Sequence, residues 1–84
     1  VVRQQWLMDQ TFSSYLDTVV DALIEQGLET NTAIHSVYVV ADYLAGEGKL
    51  PLFPDERSTP EQRGAWAVRA ADFGLLEFAL EAAA

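Results

Sequence analysis

At 84 residues, half of them apolar and 11% aromatic, the chain has material for one small packed domain and too much of it for wholesale disorder. It contains no Cys, so neither disulfides nor a Cys-built zinc site can staple the core, and oligomerisation becomes the common remedy for marginal stability. A net charge of −8 argues against binding nucleic acid or anionic membranes and favours a basic partner surface.

That charge is unevenly spread. Between Arg3 and Lys49 there is no Lys or Arg, while Asp9, Asp17, Asp21, Glu25, Glu29, Asp42 and Glu47 all fall in the same stretch. The opening "VVRQQWLMDQ" does not read as a signal peptide, and no apolar run is long enough to span a bilayer. The expected setting is the cytoplasm.

Phe12, Tyr15, Leu16, Val19, Val20, Leu23 and Ile24 recur at i, i+3, i+4, i+7 and i+8, the spacing of an amphipathic helix. The pattern predicts a helix over residues 9–26, with Asp9 as a candidate N-cap and Gly27 as its left-handed terminator. Trp6 and Met8 belong either to an irregular turn or to a helical extension. A second helix is predicted over 32–45, its apolar face formed by Ile34, Val37, Tyr38, Ala41 and Leu44. The run "VYVV" also suits a buried strand, but the helical spacing continues past it and "AGEG" ends it.

Residues 46–59 contain Pro51 and Pro54 and read as an irregular connection, with Leu50, Leu52 and Phe53 pinning it across the helices. "TPEQ" then marks a helix start. Thr59 at N-cap, Pro60 at N1 and Gln62 at N3 form a capping box, and the third helix is predicted over 60–82.

Taken as one straight helix, residues 60–82 carry two apolar stripes. Ala67, Ala71, Gly74 and Phe78, flanked by Val68 and Leu75, form a small-residue face suited to close packing within the chain. Trp66, Phe73, Leu76 and Leu80 form a second, heptad-like seam, whose cover is the chain's own helices, a second copy or another protein.

Asp17, Asp21 and Glu25, at i, i+4 and i+8, make an acidic stripe opposite the first helix's apolar face. Like charges at that spacing cost about 0.2–0.5 kcal/mol per pair, so a solvated face is one reading and charge recognition another. No second carboxylate cluster at matching spacing supports a cation site, and no metal or cofactor is expected. His35 is the one histidine and lacks a nucleophilic partner at any recognised spacing, so no catalytic residue is assigned. "ALIEQGLETNTAIHSV" has the outline of a helix-turn-helix, but no Lys or Arg lies nearby to meet phosphates.

The sequence thus predicts an all-α bundle of three main helices, expected as a homodimer, acting as a non-enzymatic interaction module. A regulator, an inhibitor or an accessory subunit would fit. Trp66, Phe73, Leu76 and Leu80 are its expected docking residues, with Asp17, Asp21 and Glu25 setting charge specificity toward another protein. The alternative is a small-molecule-binding or enzymatic helical dimer with a site between subunits near His35, Tyr38 and Tyr43.

Overall fold

The structure, a computed structural model, describes the backbone of residues 2–83 and the side chains of residues 10–83. It is all-helical, with four helices: α1 (Val2–Glu25), α2 (Thr30–Gly46), α3 (Pro60–Phe73) and α4 (Leu75–Ala83).

No Gly or Pro interrupts residues 2–25, so nothing stops the helix between Val2 and Asp9. α1 therefore starts seven residues before the predicted boundary, and Asp9 lies inside it rather than capping it. The side chains of Trp6, Met8 and Asp9 lie outside those described. At the other end Gly27 is left-handed (φ 109°), its N–H donating to the Ile24 carbonyl at 2.9 Å while the Leu28 N–H reaches Leu23 at 3.3 Å. This is a Schellman closure, with Leu28 packed on the cluster that contains Leu23. Gly48 (φ 75°) ends α2 in the same way, through Gly48 N–H to Ala45 and Lys49 N–H to Leu44. The capping box at α3 is complete: Thr59 Oγ1 accepts from the Gln62 N–H at 3.1 Å, and Gln62 Oε1 accepts from the Thr59 N–H at 2.8 Å.

α1 is the organising helix and packs against each of the other three, most extensively α3. Its buried face feeds two adjoining clusters. One gathers Ala41, Leu44, Leu50, Trp66, Ala70 and Leu75; the other gathers Val19, Leu23, Ala33, Val37 and Ala79. Tyr15 and Leu16 touch both. Among the described residues α2 and α3 do not approach each other closely. Phe53, from the connection, stands between them, 5.1 Å from the Tyr38 ring and 4.9 Å from Trp66. Leu50 and Phe53 pin this connection, whereas Leu52 stands out in solvent.

The predicted third helix is two helices. Gly74 is left-handed (φ 94°, ψ 40°) and its N–H caps Ala70, so α4 leaves along a new direction. This resets the helical phase and dissolves both predicted stripes. α3 buries Gly64, Trp66, Ala67 and Ala70, three of them small enough to let α1 come close, while Val68 and Ala71 face solvent. Trp66, only 2% exposed, is core. Leu76 and Leu80, now on α4, pack on the other cluster. Phe73 alone of the seam stays at the surface, leaning on Phe78 at 6.1 Å. The seam that suggested a homodimer is thus occupied within one chain.

Candidate docking surface

α2 carries one formal charge, Asp42, in 17 residues, and apolar side chains extend around most of its circumference. A helix of that kind is normally buried on all sides. Here only the inner face is, through Ala33, Val37, Ala41 and Leu44. The outer face leaves Ile34, Tyr38, Val39 and Tyr43 between 38% and 57% exposed. Ile34 and Tyr38 follow one another at i, i+4, as do Val39 and Tyr43, so the four form two rows along the helix with His35 and Asp42 between them.

Three depressions adjoin this ridge. Between α1 and α2, Leu16, Val20, Ile34 and Tyr38 line an open groove with Asp17 at its edge. Between α2 and α4, His35, Val39, Ala79 and Ala82 line another. Tyr38, Val39, Asp42 and Phe53 border a third, shallow one. No Lys or Arg lines any of them.

Of the residues expected from sequence to set charge specificity, Asp17, Asp21 and Glu25 are all exposed, and Asp17 borders the α1/α2 groove. Tyr38 and Val39 each line two of the depressions and form the centre of the surface. His35 lines the α2/α4 groove. Tyr43 lies toward the C-terminal end of α2, stacked on Phe78 at 6.4 Å and donating its hydroxyl to Glu47 Oε1 at 3.2 Å. The sequence reading assigned Ile34 and Tyr38 to the buried face and passed over Val39. The available signal was the near absence of charge from the whole helix, which one apolar stripe does not explain.

A further hollow, about 490 Å³, lies between the connection and α3 and is lined by Pro51, Phe53, Ser58, Gln62, Trp66 and Arg69. Much of its polar equipment is committed to the fold. Ser58 Oγ accepts from the Asp55 N–H, Gln62 holds the capping box, and the Trp66 indole donates to the Pro51 carbonyl at 3.1 Å. Among the described residues no polar or charged side chain is buried, and no three His, Cys, Asp or Glu residues gather at metal-binding spacing. No described helix is long and apolar enough to cross a membrane.

Among the described residues, Tyr15 is the one group with a resolved pKa shift. Burial pushes its phenol above the ordinary value, a hydrogen bond with the Leu76 backbone opposes this, and the nearby Glu77 charge adds to it. The position, at the joint of the two clusters, is structural.

No family model, characterised protein or solved structure matches this chain.

Proposed function

We propose that the chain is a non-enzymatic interaction module that docks another protein on the outer face of α2, as a regulator, inhibitor or accessory subunit would. The observation that carries this reading is the exposure of Ile34, Tyr38, Val39 and Tyr43 on one helix that bears a single charge. Scattered exposed apolar residues need no explanation; two rows of them on adjacent turns, one along the α1/α2 groove and one toward α4, form a surface that brackets His35 and Asp42. Covering about 200 Å² of it would contribute about 5 kcal/mol of gross apolar transfer. The exposed tyrosines suit the purpose, because each gives a large contact area with few rotatable bonds and a polar tip.

The test is a photo-crosslinking residue at Val39, with Glu61 on α3 as the control position. A discrete heterologous adduct from position 39, absent from position 61, is the expected result. Equal labelling from both positions, or none from position 39, removes α2 as the docking face. Val39→Ser should leave folding stability within about 0.5 kcal/mol of the parent, as for a surface position, while abolishing the adduct seen from a crosslinker at Ile34. A loss of stability well beyond that figure would return Val39 to the fold.

A further inference from the structure

We infer that the occupant of the α2 face is a cationic amphipathic helix, and that Tyr38 seats one of its Lys or Arg side chains. This rests on the docking reading above and specifies its partner.

The form of the occupant follows from the fold. The described residues contain no strand, so there is no sheet edge to which an extended peptide could add. What α2 offers is two rows of side chains at i, i+4 between two depressions, a relief into which another helix packs. Ala79 and Ala82 keep the wall of the α2/α4 groove low enough for close approach.

The sign of the occupant follows from the charges. Asp17 edges the groove on one side of Tyr38, and Asp42 shares the depression on the other. Residues 10–48 contain no Lys or Arg, so among the described side chains of α1 and α2 there is no cation to neutralise these two carboxylates. A half-exposed phenol ring that shares one depression with each of two carboxylates offers a cation both a π-face and counter-charges. A second copy of this chain fits less well. Two copies meeting on α2 would bring together two molecules of net charge −8.

The experiment titrates the whole chain against two fluorescein-labelled synthetic amphipathic helices, one of Leu and Lys and one of Leu and Glu, by anisotropy. The Leu/Lys helix is expected to bind and the Leu/Glu helix not to. Asp17→Asn with Asp42→Asn should weaken binding at least roughly tenfold. Asp21→Asn with Glu25→Gln makes the same change in net charge elsewhere on α1 and should weaken it far less. Tyr38→Leu keeps the apolar contact and removes the phenol ring; it should weaken the Leu/Lys helix more than an uncharged Leu/Gln helix. Equal losses from the two charge-altering pairs would reduce the attraction to overall charge and overturn the proposal. Equal binding of the Leu/Lys and Leu/Glu helices, both lost on Val39→Ser, would overturn it while leaving α2 as a docking face. Leu/Lys binding that Val39→Ser does not touch would remove the docking reading as well. A dimer in scattering that becomes monomeric on Val39→Ser would assign the face to a second copy, again overturning the proposal.

Discussion

Trp66 is the residue on which most of the fold converges. Its ring lies edge-on to Phe53 at 4.9 Å and to Phe12 at 5.9 Å, and its indole N–H holds the Pro51 carbonyl. Replacing it with Ala empties the larger part of one cluster, an expected loss of about 3–5 kcal/mol, set against about 5–15 kcal/mol of total stability for a domain. Trp66→Phe keeps most of the packing but deprives the Pro51 carbonyl of its donor, at about 1 kcal/mol. Urea unfolding of the two variants separates the contributions. Tyr15 supplies a pH signature. Its phenol holds its proton more tightly folded than unfolded, so above the ordinary tyrosine range the unfolded chain ionises first and stability falls as pH rises. Tyr15→Phe cannot ionise and should lose less stability over the same alkaline window. Parallel slopes for the two proteins in denaturation midpoint against pH would contradict the assignment.

At the level of elements, the parts of the fold with local chemical signals were legible. The 12–24 periodicity gave α1 its face, Gly27 its end, and "TPEQ" the start of α3 with every capping bond in place. Thr59→Ala should accordingly cost about 1 kcal/mol, measurable as a lowered thermal midpoint. The break at Gly74 was not legible as a break, because a glycine among Ala, Phe and Leu serves equally as a close-packing residue or as a left-handed terminator. Tertiary burial of Leu75 and Ala79 favours the second. Two local preferences oppose each other at this position. Ala would favour one continuous helix, yet the native φ of 94° strains any side chain, and a Cβ there would lie 3.3 Å from Glu77 Oε2. We expect Gly74→Ala to destabilise by about 1–2 kcal/mol. An unchanged melting curve would mean that the left-handed turn is not held. The outer face of α2 was half legible for a related reason: periodicity locates the buried stripe of the helix, whereas the outer face announces itself only through the scarcity of charge.

At the level of the molecule, the two halves of the chain differ electrostatically. Residues 10–48 present carboxylates without a single Lys or Arg, and the four remaining basic residues after Arg3 all lie from Lys49 onward. Self-repulsion within such a chain is relieved by screening, so its unfolding midpoint should rise with moderate salt. A midpoint that fell instead would point to ion pairs outweighing repulsion. Light scattering across concentration should show self-association, where it occurs, increasing with salt rather than decreasing. One further consequence follows from the aromatic column that joins surface to core. Tyr38 on the ridge touches Phe53, and Phe53 touches Trp66. With Trp6 replaced by Phe, Trp66 is the sole indole, shielded from water and two ring contacts from the proposed docking face. The molecule then contains its own optical gauge: an occupant pressing on Tyr38 is read as a change in the colour and lifetime of buried tryptophan emission, with no label attached to either partner.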